Sequence, residues 1–314
     1  MPSRRFSFID VLLLLMTVIW GTNYSIVKHA FLQMDPQAFN AMRMAIASSV
    51  FLSIIAAVRL KDPGAAGGRR SAFATIFFTP EPITRRDWAA LVWLGIVGHA
   101  AYQYFFIGGL ARTSVANSSL MLAGTPVLIA LTSAALGQDR IGRLHWVGAA
   151  MSIAGIYLVV GHGAAAGDAT LAGDALMFAA VCCWAAYTIG ARHLILRHSP
   201  VGVTGLSMAF GAVIYVPFAW PALRATDWSQ LPAGTWIALV YSALFALCVA
   251  YTIWSAVREI GSARTSVYSN LVPIVAMLTA VVFLGEVLTV TRLAGAAAVL
   301  LGVALTRVGR AVNA

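Results

Sequence analysis

The sequence predicts an all-α integral membrane protein with ten transmembrane helices. Three observations lead to this prediction: a low content of charged residues, a series of long apolar runs, and an uneven distribution of basic residues between those runs. Of the 314 residues, 60% are hydrophobic and only 10% are charged. Soluble domains carry about 25% charged residues because their surfaces face water, so this chain has too few charges for such a surface.

The apolar runs are separated by short segments rich in glycine, proline or charge, such as DPGAAGGRR (62–70) and RHSP (197–200). A helix needs about 20 mostly apolar residues to cross a bilayer. We therefore predict spans at residues 9–29, 38–58, 88–110, 115–136, 144–161, 172–191, 201–221, 233–256, 266–285 and 291–308.

The first span follows two arginines and could be mistaken for a signal peptide. It has no clear small-x-small cleavage site and further spans follow it, so we interpret it as a retained helix. Pro126 in the fourth span and Pro273 in the ninth are expected to kink their helices, because proline lacks the amide that a helix needs. The fifth and tenth spans carry glycine-rich faces, including Gly155 and Gly295, which favour close helix contact.

Basic residues predict the orientation, because cytoplasmic loops carry an excess of Lys and Arg. If the N-terminus is cytoplasmic, that side receives sixteen of them, namely Arg4, Arg5, Arg59, Lys61, Arg69, Arg70, Arg85, Arg86, Arg140, Arg143, Arg192, Arg197, Arg258, Arg264, Arg307 and Arg310. The other side receives four, and Arg43 lies inside the second span. Both termini are therefore predicted to be cytoplasmic. Because the charges are dispersed between apolar spans, the net charge of +10 does not indicate nucleic-acid binding.

The two halves of the chain share a register. An offset of 147 residues aligns three pairs, Pro126 with Pro273, Gly148 with Gly295, and Gly155 with Gly302. We predict two homologous five-helix repeats, residues 1–161 and 172–310. Five is an odd number, so the second repeat must enter the membrane upside down. Inverted repeats with a site at their interface are typical of secondary transporters.

Three motifs add a resemblance: WGTNYSIVK (20–28), DPQAFNAMRMAIA (35–47) and LVPIVAMLTAVVFLGE (271–286). With them the chain resembles the EamA-domain branch of the drug/metabolite transporter superfamily over essentially its whole length. The resemblance implies a ten-helix exporter of small metabolites, including amino acids, in a bacterial inner membrane. One departure is LGQD (136–139), where the family usually shows LGE, so a role shared by both halves is not implied for Glu286.

Polar and aromatic residues inside the spans are candidates for a substrate cavity, because a polar group in the membrane is costly without a role. In the third span His99, Tyr102 and Gln103 share one helical face. Trp20 and Trp184 lie about ten residues into their spans, near the midplane. The predicted substrate-binding set is Trp20, Asn23, Tyr24, His99, Tyr102, Gln103, Trp184, Tyr187, Tyr241, Trp254, Tyr268 and Asn270.

Each of these residues also has a structural interpretation, as a packed aromatic or as a hydrogen bond between helices. For His99 a proton relay is a further hypothesis. Tyr251 is interpreted as packing only. Lys28 and Arg43 are interpreted as boundary residues that snorkel or pair, with binding of a substrate carboxylate as the alternative.

No catalytic, metal or cofactor site is predicted. The sequence has no G-x-x-x-x-G-K-[ST] motif for nucleotide binding. Its acidic residues lie at span ends, as Asp10, Asp139, Glu259 and Glu286 do. Cys182, Cys183 and Cys248 form no metal-binding spacing and are interpreted as core residues.

The expected function is therefore secondary transport: export of small metabolites, with amino acids as the expected substrates, by alternating access through a central aromatic and polar cavity. The expected location is the inner membrane, as a multi-pass protein whose partners are its substrate and the lipid bilayer. The alternative is export of drugs or quaternary ammonium ions, which aromatic faces can bind. An integral-membrane enzyme is the third and less favoured hypothesis, and no oligomeric state is predicted.

Overall fold

The computed structural model describes residues 7–60, 76–77, 81–135, 142–165 and 170–311, and all regular structure in these residues is helical. Arg4, Arg5, Lys61, Arg69, Arg70, Asp139 and Arg140 lie outside them. The helices are α1 (Phe8–Ala30), α2 (Pro36–Leu60), α3 (Arg85–Gly95), α4 (Tyr102–Arg112), α5 (Val115–Ala123), α6 (Thr125–Ala135), α7 (Arg143–Ala165), α8 (Leu171–Gly190), α9 (Arg192–Ile195), α10 (Pro200–Phe218), α11 (Trp220–Ala225), α12 (Ala233–Tyr241), α13 (Ala250–Ser269), α14 (Val272–Leu284) and α15 (Val290–Ala311).

Seven helical stretches are long and apolar enough to cross a membrane, namely Phe8–Ala30, Pro36–Leu60, Arg85–Arg112, Val115–Ala135, Leu171–Gly190, Pro200–Phe218 and Ala233–Val257. Three shorter apolar stretches are found in the described residues, Arg143–Val159, Val272–Leu284 and Val290–Leu305. Each of the ten predicted spans overlaps one of these stretches. The assignment as a membrane protein rests on the seven long stretches, and the count of ten spans stays a prediction.

One connection differs from the expectation. Residues 257–265 were expected to link the eighth and ninth spans, but α13 continues through them from Ala250 to Ser269. Alanine, arginine, glutamate and valine in this stretch are all compatible with a helix, so local propensity does not impose a loop here.

Both prolines predicted to kink their spans lie where a helix is interrupted. The fourth span breaks at Gly124, between α5 and α6, and Pro126 is the second residue of α6. The ninth span is broken at residues 270–271, and Pro273 is the second residue of α14. Proline fits the first turn of a helix because the amide there has no partner within the helix. Gly124 and Leu271 are 147 residues apart, the offset found in the sequence.

Two π-helical segments occur at related places in the two halves. Ile96–Ala101 joins α3 to α4, and Ser242–Val249 joins α12 to α13. The offset of 147 carries residues 96–101 onto 243–248, inside the second segment. A π-helical turn disturbs the regular backbone hydrogen bonding, and such turns are frequent at functional sites.

Helices α7 and α15 pack backbone against backbone, in an antiparallel pair. A Cβ atom added to Gly155 would lie 2.7 Å from the carbonyl oxygen of Gly295, and one added to Gly302 would lie 2.5 Å from that of Gly148. The hydroxyl of Ser152 donates to the carbonyl of Val299 at 3.3 Å. The glycine-rich faces predicted for the fifth and tenth spans therefore contact each other within one chain.

The bundle has two ends, which we name after residues at the two ends of α1. At the Asp10 end, the Tyr268 hydroxyl donates to Asp10 at 3.1 Å. At the Lys28 end, the ammonium of Lys28 donates to the carbonyl of Thr113, just past the end of α4. The predicted topology places the Asp10 end in the cytoplasm.

The outer surface of the bundle is apolar over much of its area. Large exposed hydrophobic side chains lie on most of the long helices and include Leu14, Leu15, Val18, Phe178 and Val213. In water such a surface would favour aggregation, whereas lipid chains solvate it.

Candidate functional site

The centre of the bundle holds a cluster of aromatic rings around Trp184. Its indole stacks on Tyr187 with ring centroids 5.1 Å apart, and it lies 5.1 Å from Tyr102. Tyr251 meets it edge to face at 5.8 Å, and Trp254 is tilted against it at 5.8 Å. We call the aromatic cluster the set Trp20, His99, Tyr102, Trp184, Tyr187, Tyr251 and Trp254.

Trp20 joins the cluster from α1. Its ring meets Tyr251 edge to face at 5.5 Å, and its indole N–H donates to the carbonyl of Ala246 at 3.0 Å. Ala246 belongs to the second π-helical segment. The irregular backbone there accepts a side-chain donor that a buried indole requires. Trp20 therefore faces the interior of the protein.

His99 is fully buried in the first π-helical segment. Its ring lies 5.2 Å from Tyr187, edge to face, and 6.5 Å from Tyr251. Within the described residues neither ring nitrogen has a hydrogen-bond partner. Buried polar groups are almost always paired, which makes this imidazole a candidate functional residue.

Of the two interpretations of Arg43, snorkelling to the membrane boundary is wrong, because the side chain is only 2% exposed. Arg43 instead forms hydrogen bonds inside the bundle. Its Nη1 donates to the hydroxyl of Ser242 and its Nη2 to the side-chain oxygen of Gln103, each at 2.8 Å. Gln103, a member of the predicted substrate-binding set, therefore holds the guanidinium. Arg43 lies about 10 Å into α2, and this depth was the signal in the sequence that its side chain could be buried.

Tyr251, which the sequence analysis leaves out of the substrate-binding set, packs against the rings of Trp20, His99 and Trp184. Its ring joins the cluster side chains of α1, the first π-helical segment and α8.

Three further predicted residues lie on or near α1. Tyr24 is buried and packs edge to face on Phe106 at 5.6 Å. Asn23 is buried, and its side-chain oxygen has no partner within the described residues. Tyr241 is half-buried and shares a hydrogen bond of 2.7 Å with the hydroxyl of Thr22.

Tyr268 lies in the last turn of α13. The Tyr268 hydroxyl points to Asp10, which is about 15 Å along α1 from Trp20. Its backbone carbonyl accepts from Thr17 at 3.0 Å. Tyr268 therefore joins α1 to the second half of the chain near the Asp10 end. Asn270 lies in the break between α13 and α14.

A cavity of about 90 Å³ lies beside the aromatic cluster, toward the Asp10 end. Tyr187 and Trp254 of the cluster line it together with Thr188, Ala191, Ile195, Pro200, Thr204 and Ser255. The Thr204 hydroxyl lies 3.4 Å from both the Tyr187 and the Ser255 hydroxyls. The cluster is therefore bordered on this side by a small hydroxyl-rich space.

The Lys28 end is closed by polar contacts between the two halves of the chain. Asp174 is buried and accepts hydrogen bonds from the Thr113 hydroxyl at 2.6 Å and the Asn117 amide at 3.2 Å. Glu286 accepts from the backbone amides of Val115 at 2.7 Å and Ala116 at 3.3 Å. A carboxylate at a helix N-terminus satisfies free amides and favours the helix dipole, so Glu286 caps α5.

Known proteins match this chain over nearly all of its length. Residues 7–161 and 171–308 match the model of the EamA-like transporter family. The "Uncharacterized transporter YyaM" of Bacillus subtilis is 26% identical over 299 residues, covering 94% of this chain and 92% of the relative. A crystal structure superposes with a TM-score of 0.62 at 19% identity, over 96% of this chain and 98% of the other, which shows a shared fold.

Two relatives have names that mention amino acids. The "Probable amino-acid metabolite efflux pump" of Salmonella typhimurium is 25% identical over 310 residues, covering 96% of this chain and 94% of the relative. The "Probable terminal-alkyne amino-acid exporter" of Streptantibioticus cattleyicolor is 28% identical over 221 residues, covering 70% and 73%.

Proposed function

Because this chain belongs to the EamA-like transporter family, a family of multi-pass membrane proteins, we propose that it exports small metabolites, with amino acids as the expected substrates, by alternating access through the aromatic cluster. The proposal includes ten spans in two inverted repeats, residues 1–161 and 172–310. It also places both termini in the cytoplasm and the protein in the inner membrane.

The observation that carries the proposal is the composition of the cluster. Trp20, His99 and Tyr102 come from the first half of the chain, and Trp184, Tyr187, Tyr251 and Trp254 come from the second half. A site built by both halves near the midplane is the arrangement that an inverted-repeat transporter requires. Within the described residues the ring nitrogens of His99 have no hydrogen-bond partner, and they add polar atoms to a cluster that otherwise consists of indole and phenol rings.

The paired irregularities support the repeat. The π-helical segments and the helix breaks recur at the offset of 147 residues that aligns the prolines and glycines. Discontinuous helices near the centre of the membrane are a common feature of transporter sites. They also supply flexible points at which the two halves can move against each other.

Polar contacts at both ends must change during such a movement. At the Lys28 end Asp174 joins α8 to Thr113 and Asn117, and Glu286 caps α5. At the other end Tyr268 joins Asp10. Each hydrogen bond contributes about 0.5–3 kcal/mol, more when one partner is charged. Opening the Lys28 end therefore requires the loss of contacts that are individually weak and can form again.

The cluster suits a solute with an apolar side chain and polar ends. Indole and phenol rings offer large rigid apolar surfaces, and the imidazole of His99 offers a hydrogen bond. The alternative cargo, a quaternary ammonium ion, would meet the guanidinium of Arg43 close to the cluster. The second alternative, an enzyme, has no support in the names of the relatives described above.

The direct test is efflux from proteoliposomes that contain the purified protein. Vesicles are loaded with labelled threonine, methionine or phenylalanine, and the loss of label is compared with protein-free vesicles. We expect faster loss of at least one amino acid, and no competition by tetraphenylphosphonium, a cationic probe. If none of the three amino acids leaves faster than it leaves protein-free vesicles, the proposed substrates are wrong.

A further inference from the structure

Arg43 carries a positive charge into the interior of the bundle with neutral hydrogen-bond partners. Within the described part of the chain, its two bonds go to an amide oxygen and a hydroxyl, and its Nε has no partner. A guanidinium has five N–H donors, so most of its hydrogen-bonding capacity is unused.

Such an arrangement is costly for a membrane protein. Charged residues within membrane spans usually pair with an opposite charge, or they mark a path for a solute. A buried charge without a counter-charge is strongly unfavourable because its desolvation is not compensated. Arg43 lacks a carboxylate partner among the described residues, and a bound anion would supply the missing negative charge.

The location of Arg43 connects it to the aromatic cluster. The phenols of Tyr102 and Tyr251, both members of the cluster, lie near its guanidinium. Gln103 directly follows Tyr102 on α4, and Ser242 begins the second π-helical segment. One partner therefore comes from each half of the chain, and together they hold the guanidinium beside the rings.

We propose that Arg43 binds a carboxylate group of the solute that occupies the aromatic cluster, so that the cargo is a carboxylate with an apolar or aromatic side chain. This inference rests on the proposed transport function and deepens it by assigning the anionic end of the substrate. The planar guanidinium can bind both carboxylate oxygens at once. Trp20, Trp184 and Tyr251 then contact the apolar part, and Gln103 and Ser242 keep Arg43 in position.

The first test uses the wild-type protein and three small probes. Phenylalanine has a carboxylate and an ammonium, 3-phenylpropanoate has the carboxylate alone, and phenylalaninamide has the ammonium alone. Binding is followed by the change in tryptophan fluorescence, since three tryptophans belong to the cluster. We expect both carboxylates to bind about 10- to 100-fold more tightly than the amide, the range for a charge-assisted hydrogen bond. Equal affinity for the amide, or no binding of either carboxylate at its solubility limit, would overturn the proposal.

The second test uses Arg43→Gln with Arg59→Gln as its matched control. Arg59 lies on the same helix and is exposed, and its replacement by glutamine removes the same positive charge. We expect Arg43→Gln to bind the carboxylates at least about tenfold more weakly and the amide unchanged, whereas Arg59→Gln behaves as wild type. A retained preference for carboxylates in Arg43→Gln would contradict the proposal.

Thermal unfolding without ligand shows whether each variant is folded. If Arg43→Gln does not fold, Arg43→Lys replaces it. Lysine keeps the charge but cannot form the two-pronged contact, so we expect a weaker yet persistent preference for carboxylates. A preference for carboxylates in Arg43→Lys that is as large as in the wild type would count against the two-pronged contact.

The binding tests separate this inference from the proposed function. Binding of carboxylates through Arg43 without export of any amino acid would leave the inference standing and refute the export proposal. Export of amino acids by a protein that binds phenylalaninamide as tightly as phenylalanine would support the export proposal and refute the inference.

Discussion

Trp184→Ala is expected to lower amino-acid efflux at least about tenfold, a loss of about 1.4 kcal/mol in transition-state stabilisation. Trp184 is the ring at the centre of the cluster and contacts Tyr102, Tyr187, Tyr251 and Trp254. Each aromatic pair contributes about 0.5–1.5 kcal/mol beyond the area it buries. Removing the indole also removes the apolar surface proposed to contact the substrate. Efflux from proteoliposomes at equal protein content measures the effect.

The matched control for this substitution is Trp146→Ala. Trp146 lies on α7 and is 56% exposed on the outer surface, so its loss should leave efflux close to the wild-type rate. Trp184→Phe, which keeps a ring at the position, is expected to retain part of the activity. Equal efflux rates for Trp184→Ala and Trp146→Ala would exclude the cluster from the transport path.

A disulfide across the Lys28 end is expected to stop transport. Thr113 and Asp174 belong to different halves of the chain, and their side-chain oxygens are 2.6 Å apart. A disulfide needs Cβ atoms about 3.5–4.5 Å apart, which a direct contact between two short side chains permits. In Thr113→Cys/Asp174→Cys the bond would hold this end closed. Oxidation should reduce efflux to below about 5% of the reduced rate, because alternating access requires each end to open in turn.

The pair is made in a variant in which Cys182, Cys183 and Cys248, all free in this structure, are replaced by alanine. The reduced protein is its own control, and dithiothreitol should restore the rate after oxidation. Each single-cysteine variant should be insensitive to oxidant. Full transport by a protein whose disulfide is confirmed by mass spectrometry would show that the Lys28 end does not open.

The helical architecture could be predicted from the sequence because composition and apolar run length depend on few physical rules. Each predicted span overlaps an apolar helix, and Pro126 and Pro273 lie at interruptions, since proline cannot continue a helix without losing a hydrogen bond. The continuous helix through residues 257–265 was missed because those residues carry charges and a glycine typical of a loop between spans, and their local propensity does not decide between loop and helix.

The site was only partly predictable. Trp20 and Trp184, which the structure places in the aromatic cluster, could be selected because their depth within a span differs from that of aromatic residues at the membrane boundary. For Arg43 the sequence left snorkelling and pairing open, because a guanidinium near the start of a span can reach either the boundary or the interior, and helix packing decides between them. Tyr251 was left out for a related reason, since its sequence neighbours are apolar and only the tertiary fold brings it to His99.

The π-helical segments had no recognisable signature in the sequence. Their residues, IVGHAA and SALFALCV, are ordinary for a membrane helix. Packing of neighbouring helices decides where such a turn forms, and this information is not local. Tyr268 was assigned to the substrate set from its place in the span, but its contact with Asp10 became visible only in the folded chain.

The central claim is that a solute occupies the aromatic cluster and reaches it from one end of the bundle at a time. Labelling of Thr204→Cys in the cysteine-free background tests this most directly, because Thr204 borders both the cavity and Tyr187. Ser229→Cys, at an exposed position between α11 and α12, is the control for the opposite face. We predict that a membrane-impermeant thiol reagent labels Thr204→Cys from the Asp10 side, that a transported amino acid slows this reaction, and that labelling of Ser229→Cys is unaffected. Labelling of Thr204→Cys at the same rate with and without an amino acid that the same preparation exports would contradict the claim.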